Sequence, residues 1–186
     1  MIDVREAKLP DDAQQIAALD RSFTTDSIYT VHCHGDQMAL RLDTLSTPLT
    51  KRFPLDDLDM QDRPWEFAAV AIAGGHICGF IAAGYQGWNR RLTIWHLYVA
   101  NSHRKRGIAR LLLHRANDYG ASRSALNMWV ETSSLNVPGV KAYRRLGFEL
   151  CGIDTTLYLG TSAATETALF FARPISPRCV PGDGHK

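Results

Sequence analysis

The pattern of apolar and polar positions divides the chain into a first part that is hard to interpret and a second part with regular elements. Residues 2–7 alternate enough to predict a strand. Residues 10–20 predict a helix starting at Pro10, because proline is tolerated in the first turn and acidic residues favour the positive helix end. Residues 22–63 contain many Thr, Asp and Pro residues and few periodic runs. The pattern therefore does not indicate which elements form in that stretch, and its role stays open.

From Trp65 onward, apolar positions recur at strand and helix spacing. Antiparallel strands are predicted over residues 67–73, 77–85 and 92–99. Gly74-Gly75 is predicted to form the first turn between them, because glycine tolerates the positive φ of hairpin turns. The remaining predicted elements are a helix over 107–120, a strand over 125–132, a helix over 136–146 and strands over 148–154 and 165–171. This order indicates an α/β fold with a mixed, mostly antiparallel sheet flanked by helices.

Composition and charge narrow the class of protein. The 186 residues are 45% apolar and 22% charged, which fits one folded domain over residues 1–173 and a flexible tail over 174–186. A net charge of +2 argues against a nucleic-acid partner. Neither a signal peptide nor a membrane-spanning run of about 18 apolar residues is visible. The four cysteines are scattered without zinc-ligand spacing, so we expect a cytoplasmic protein without a metal.

The clearest functional signal in the sequence lies in residues 96–110. A strand ends, a basic loop follows and a helix begins at Gly107, so that unpaired backbone N–H groups and the helix dipole make an anion site. Gly107 and Ala109 are small and let a phosphate approach the backbone. The three preceding residues add positive charge: Arg104, Lys105 and Arg106. The stretch matches neither the Walker-type nor the dinucleotide-binding glycine pattern.

Two motifs in this part of the chain resemble those of the Gcn5-related N-acetyltransferase (GNAT) family. The first is its acyl-CoA signature, [Q/R]-x-x-G-x-[G/A], whose fixed positions are filled by Arg104, Gly107 and Ala109. The second is its later motif, N-x-x-A-x-x-x-Y-x-x-x-G-F, in which Gly139 replaces the usual Ala. The other fixed positions of that motif are Asn136, Tyr143, Gly147 and Phe148. Because both motifs occur in the right order and context, the chain is identified as a member of this family.

Within that family, the chain is most similar to the streptothricin acetyltransferases. The similarity extends over nearly the whole chain to about Phe171. The stretches that carry it are residues 19–24, 51–56, 129–132, 136–138, 147–154, 157–158 and 166–171. One departure is Trp95-His96, because such enzymes usually carry an acidic pair in the strand before the CoA loop.

The resemblance implies an activity and a cofactor. Acetyl-CoA is the expected co-substrate, and its acetyl group is expected to pass directly to a primary amine in a ternary complex. The favoured acceptor is a streptothricin-type antibiotic, on the amine of its β-lysine arm. Two alternatives stay open, namely a protein N-terminal or lysine acetyltransferase and a non-catalytic acyl-CoA-binding module. The resemblance also allows a homodimer, since dimers are common in the family.

The resemblance also implies which residues contact the cofactor. Backbone groups near the end of one strand would hold the pantetheine arm and the thioester, at Leu97, Tyr98 and Val99. The phosphates would lie against the loop and helix start formed by Arg104, Lys105, Arg106, Gly107, Ile108 and Ala109. Asn136 and Tyr143 complete the predicted cofactor site, and Asn136 is also a candidate helix cap.

Catalysis requires an acid for the leaving thiolate and a base for the amine. Tyr143 matches the family's thiolate-protonating tyrosine. The candidate bases are Glu131, which alternatively orients the substrate, and His96, because histidine exchanges protons near neutral pH. A water chain is a third option. The acidic stretch that includes Asp56 and Asp57 is either a rim that attracts a polyamine substrate or a solvated loop.

Overall fold

The chain folds around a mixed sheet, and the computed structural model describes residues 1–175. The strands in chain order are β1 (Ile2–Glu6), β2 (Ser22–His34), β3 (Gln37–Arg52), β4 (Phe67–Ala73), β5 (His76–Gln86), β6 (Arg91–Val99), β7 (Asn127–Ser133), β8 (Glu149–Asp154) and β9 (Ala168–Pro174). The helices are α1 (Ala13–Ala17), α2 (Ile108–Ser122) and α3 (Val137–Arg145).

Most strands of residues 1–175 belong to one sheet, with the order β1-β4-β5-β6-β7-β9-β8. Strands β6 and β7 are parallel, and the other neighbours are antiparallel. The predicted α/β fold with a mixed, mostly antiparallel sheet is therefore confirmed. The β4–β5 turn has φ of +58° at Gly74 and +80° at Gly75, the conformation that such a turn requires.

Apolar side chains cover both faces of this sheet. On one face, Leu112 of α2 and Val140 of α3 belong to a buried cluster with the strands. On the opposite face, Ile16 of α1 packs with Trp65 and Phe80. Full burial of each large apolar side chain contributes about 1.5–3 kcal/mol, so these two layers hold the helices against the sheet.

A second, two-stranded sheet occupies the part of the chain for which no element was predicted. Strands β2 and β3 form this ribbon, with Ser22 opposite Arg52 and His34 opposite Gln37. Strand β2 buries alternate residues from Phe23 onward, but β3 is mostly exposed. The ribbon joins the main fold where the Tyr29 N–H donates to the Ser134 carbonyl at 2.9 Å. A ribbon with so little apolar burial lacks a long hydrophobic period in its sequence.

The predicted helix over residues 10–20 is wrong in extent, because α1 covers only Ala13–Ala17. The carboxylate of Asp12 is engaged elsewhere and does not cap a helix. It accepts hydrogen bonds from the Arg5 guanidinium at 2.7 and 2.8 Å and from the Lys8 N–H at 2.7 Å. These contacts tie the segment before α1 to strand β1.

Two expectations near the end of the chain also need correction. The strand predicted over residues 165–171 begins later, at Ala168, because the Glu166 N–H and Thr167 N–H bond to Ala163 and Ser134 instead of joining the sheet. The tail predicted to be flexible from Pro174 starts too early, since Pro174 ends β9. Ile175 packs on the core and its N–H donates to the Leu126 carbonyl at 3.0 Å. The rest of the predicted tail lies outside the described residues.

Residues 1–175 contain neither a candidate membrane span nor a candidate metal site. None of the helices there is long and apolar enough to cross a membrane. In the same residues, no group of three or more His, Cys, Asp or Glu side chains is placed to hold a metal ion.

Candidate active site

A cleft opens where two neighbouring strands of the main sheet separate. Strands β6 and β7 pair only from Arg91 opposite Asn127 to Ile94 opposite Val130. Trp95 then forms a bulge in β6, since β5 pairs with Ile94 on one side of it and His96 on the other. Beyond the bulge, β6 keeps its contact with β5 but not with β7. The resulting cleft of about 850 Å³ lies within the size range of small-molecule sites.

The start of helix α2 forms one end of this cleft. Gly107 has φ of +80°, and no atom lies within 4 Å of the position that a Cβ would take there. The first hydrogen bond of the helix runs from the Leu111 N–H to the Gly107 carbonyl, at 3.1 Å. The three N–H groups before it therefore have no acceptor within the helix. They belong to Ile108, Ala109 and Arg110. An open backbone and free N–H groups at a helix start fit the phosphates of acetyl-CoA.

Only part of this loop is placed for anion binding, because some of its side chains are engaged elsewhere. The predicted phosphate-binding residues that line the cleft are Arg104, Lys105, Gly107, Ile108 and Ala109. The Arg104 guanidinium donates to the carbonyls of Val99 at 3.0 Å and Ser22 at 2.8 Å. The Ile108 side chain is buried in the core, and Arg106 is exposed outside the cleft lining. Arg104 therefore braces the loop against β6 and the ribbon.

Asn136 has the predicted capping role, which the structure confirms. Its Oδ1 accepts from the Gly139 N–H at 3.0 Å, and its Nδ2 donates to the Thr132 hydroxyl at 2.9 Å. A Cβ at Gly139 would lie 2.2 Å from the Asn136 Nδ2. The glycine that departs from the family motif thus makes room for the capping side chain.

Tyr143 lines the cleft from helix α3. Its ring packs against Phe148 and Phe171 with centroid separations of 5.8 and 6.2 Å. Burial raises the pKa of its hydroxyl, and the charge of Glu131 raises the pKa further. The hydroxyl forms no hydrogen bond within residues 1–175, so its proton is free for a molecule bound in the cleft.

Glu131 extends into the same cleft from strand β7. Burial raises the pKa of this carboxyl group, and the hydroxyl of Tyr158 donates a hydrogen bond to it. The charge of Lys51 acts in the opposite direction. A carboxylate with a raised pKa is a stronger base than an ordinary one, so Glu131 has the chemistry expected of a base or an ammonium ligand.

A partly buried ion pair near Glu131 was not predicted from the sequence. The Lys51 ammonium at the end of the ribbon binds both carboxylate oxygens of Glu166, which also accepts from the Ser133 hydroxyl. The exposed fractions of the Lys51 and Glu166 side chains are 24% and 8%. Lys51, Tyr158 and Glu166 all lie in stretches that resemble the streptothricin acetyltransferases, and that similarity was the signal available for them.

His96 has partners on both ring nitrogens. Its Nε2 lies 2.8 Å from Oδ1 of Asp57, and its Nδ1 lies 3.1 Å from the Tyr98 hydroxyl. Asp57 also accepts a hydrogen bond from Nε1 of Trp65 at 2.7 Å. His96 and Tyr98 both line the cleft. Asp57 binds protein groups, whereas Asp56 is exposed.

Comparisons with known proteins agree with this geometry. Residues 37–148 match the model of the acetyltransferase (GNAT) family. A streptothricin acetyltransferase from Streptomyces lavendulae is 40% identical over 172 residues, which cover 89% of this chain and 91% of that protein. The crystal structure of nourseothricin acetyltransferase superposes with a TM-score of 0.85 at 41% identity, covering 94% of this chain and 99% of that one.

A third match extends the comparison at the level of the fold. A Bacillus anthracis str. Ames protein, solved in complex with acetyl coenzyme A, has a TM-score of 0.79 at 20% identity and covers 94% of this chain and 99% of its own. The matched family, the two separated strands and the open helix start lead to one conclusion. The chain belongs to the acetyltransferase (GNAT) family and is an acetyl-CoA-dependent N-acetyltransferase.

Proposed function

We propose that this enzyme acetylates a primary amine of a streptothricin-type antibiotic, on its β-lysine arm. The observation that carries the proposal is the near full-length similarity to a streptothricin acetyltransferase described above. Acetylation converts a charged ammonium into a neutral amide, which removes a positive charge from the drug. Because the chain belongs to an acetyltransferase family, the alternative of a non-catalytic acyl-CoA-binding module loses its support.

Two side chains of the cleft support this chemistry. Bound acetyl-CoA supplies the acetyl group as an activated thioester. Tyr143 carries its proton at neutral pH as tyrosines ordinarily do, and burial raises its pKa further. It donates that proton to the leaving sulfur. Glu131 presents a negative charge that attracts and orients the acceptor ammonium.

The acidic stretch before β4 contributes in two ways. The side chains of Asp56, Asp59 and Asp62 are exposed and can attract a polycationic drug at long range. Asp57 instead binds His96 and Trp65, so we assign it to the structure of the pocket wall and not to direct substrate binding.

The experiment that tests the proposal is a mass-spectrometric assay with the purified enzyme, acetyl-CoA and streptothricin. We expect a gain of one acetyl group on the antibiotic, with the position on the β-lysine arm located by fragmentation. A parallel reaction without enzyme is the control. If streptothricin stays unmodified while acetyl-CoA binds, the proposed acceptor is wrong, and peptides and other polyamines are the next acceptors to test.

A substitution at the helix start tests the cofactor site. Gly107→Glu forces a side chain into a left-handed conformation, which costs about 1–2 kcal/mol, and places a negative charge beside the phosphates. We expect the Kd of acetyl-CoA, measured by calorimetry, to rise at least about tenfold. Gly74→Glu is a matched control, since Gly74 also has a positive φ but lies in the β4–β5 turn. Equal Kd values in the two variants would contradict the assignment.

Four expectations about the whole protein stay predictions. They are a single domain over residues 1–173, a homodimer, a cytoplasmic location and the lack of a nucleic-acid partner. Sedimentation of the purified protein measures its oligomeric state directly.

A further inference from the structure

A chain of polar contacts runs from the interior of the protein to the wall of the cleft. It begins at Trp65, whose Nε1 donates to Asp57 at 2.7 Å. The two carboxylate oxygens of Asp57 lie 2.8 and 2.9 Å from Nε2 of His96. On the other side of the ring, Nδ1 lies 3.1 Å from the Tyr98 hydroxyl. That hydroxyl also lies 3.2 Å from the Pro54 carbonyl, and Tyr98 lines the cleft.

The partners of His96 select its tautomer. An ionised carboxylate can only accept hydrogen bonds, so the contact with Asp57 places a proton on Nε2. In the neutral ring, Nδ1 then carries the lone pair and accepts the proton of the Tyr98 hydroxyl. The ring is held in this orientation, since Phe80 stacks on it with centroids 6.1 Å apart and Trp65 packs edge-on at 6.5 Å.

The same atoms also suit the protonated ring. If Nδ1 gains a proton, it donates to the Tyr98 oxygen, and the Tyr98 hydroxyl turns to donate to the Pro54 carbonyl. The negative charge of Asp57 then stabilises the positive ring through Nε2. In the protonated arrangement each of these contacts is a hydrogen bond, whereas in the neutral one the Tyr98 proton moves from the Pro54 carbonyl to Nδ1. The change requires only rotation of the hydroxyl and no movement of a heavy atom, which is the property that a proton relay needs.

Given the acetyl transfer proposed above, we propose that Tyr98 is the catalytic group that takes the proton from the acceptor ammonium, with His96 and Asp57 as the relay that receives the Tyr98 proton. The N–H bond of the ammonium breaks, its electron pair stays on nitrogen, and the proton bonds to the Tyr98 oxygen. In the same step, the original hydroxyl proton of Tyr98 moves to Nδ1 of His96. The proton returns to solvent through Tyr98 after the product has left.

The charges around Tyr98 favour a hydroxyl that passes a proton on, and they disfavour a tyrosine that is held as a phenolate. The titratable and charged groups that act on it are Tyr143, Arg21, Asp57 and Asp56. Burial raises the pKa of Tyr98, and Arg21 is the one of these groups that lowers it. Tyr98 therefore keeps a proton before and after the step, and the charge that accumulates rests on the His96–Asp57 pair.

The first test requires neither cofactor nor acceptor. In the free protein labelled with ¹⁵N-histidine, we expect the His96 signals of the tautomer that carries its proton on Nε2, with Nδ1 unprotonated. The signals of His96 are assigned by their loss in His96→Gln, because the chain has seven histidines. A neutral ring protonated on Nδ1 would overturn the proposal, since such a ring cannot accept a proton from Tyr98.

The second test measures turnover. Tyr98→Phe removes the hydroxyl but keeps the ring, and we expect kcat to fall about 100-fold while the KM for acetyl-CoA stays the same. The deficit should shrink as the pH rises, because the acceptor amine then loses its proton to solvent without help. The matched control is Tyr119→Phe, which removes a hydroxyl that donates to Glu66 at 2.7 Å outside the cleft lining.

The outcomes separate this relay from Glu131 as the base. A Tyr98→Phe enzyme with kcat within about threefold of the wild type, or with a deficit that does not change with pH, would overturn the relay. His96→Gln should show the same pH-dependent deficit as Tyr98→Phe, and a difference in that dependence would remove His96 from the path. If the wild type fails to acetylate streptothricin, the proposed acceptor is wrong. The relay is tested separately, because the tautomer of His96 is measured without an acceptor.

Discussion

Replacement of Tyr143 by phenylalanine is expected to lower kcat by about 100-fold or more, the usual contribution of a positioned acid. The ring contacts with Phe148 and Phe171 do not involve the hydroxyl, so the fold and the affinity for acetyl-CoA should be retained. Steady-state kinetics with either substrate varied, together with calorimetry for acetyl-CoA, measure these quantities.

The control for this prediction is Tyr85→Phe, which alters a tyrosine of β5 that does not line the cleft. That variant should have wild-type kcat. If Tyr143→Phe turns over as fast as the control, Tyr143 is not the acid. If it loses acetyl-CoA affinity instead of kcat, its role is binding and not proton donation.

The second large effect is expected on stability. Lys51→Met leaves the carboxylate of Glu166, whose side chain is 8% exposed, without its cationic partner. Breaking a buried pair from one side costs about 3–5 kcal/mol, because the remaining charge stays desolvated. We expect a loss of about 3 kcal/mol in the free energy of unfolding measured with urea, at the lower end because Lys51 is partly exposed.

The double variant Lys51→Met/Glu166→Gln provides the comparison for this prediction. Glutamine removes the uncompensated charge and still accepts a hydrogen bond from the Ser133 hydroxyl, so part of the lost stability should return. A loss below about 1 kcal/mol in Lys51→Met would place the pair with ordinary surface ion pairs. In that case the ribbon would not depend on Lys51 for its attachment to the main fold.

The regular elements of the second half of the chain were predictable because their local signals are strong. Strand β4 covers the predicted residues, and the bounds of β5 and β6 differ from the predictions by at most one residue. Helix α3 begins after Asn136 and is followed by Gly147 with φ of +85°. A capping side chain and a glycine in the left-handed conformation are local features, so they can be identified without knowledge of the packing.

The ribbon could not be predicted, because its stability depends on distant contacts. Strand β2 buries a mixture of apolar and polar residues, among them Thr25 and Ser27. The ribbon is anchored by the Ser134 carbonyl, which binds β2, and by Glu166, which binds Lys51 of β3. A segment whose partners come from elsewhere carries little periodicity of its own.

The candidate site divides in the same way. The anion site at Gly107 and the position of Tyr143 follow from motifs of a few residues, since a helix start and one helix face are local structures. The order of the strands, the bulge at Trp95 and the separation of β6 from β7 are properties of the whole sheet. The contact of Asp57 with His96 joins residues 39 positions apart. Local sequence thus accounts for the family and the cofactor loop. Long-range packing determines which side chains come into contact, because the local spacing of residues contains no information about partners that are distant in the chain.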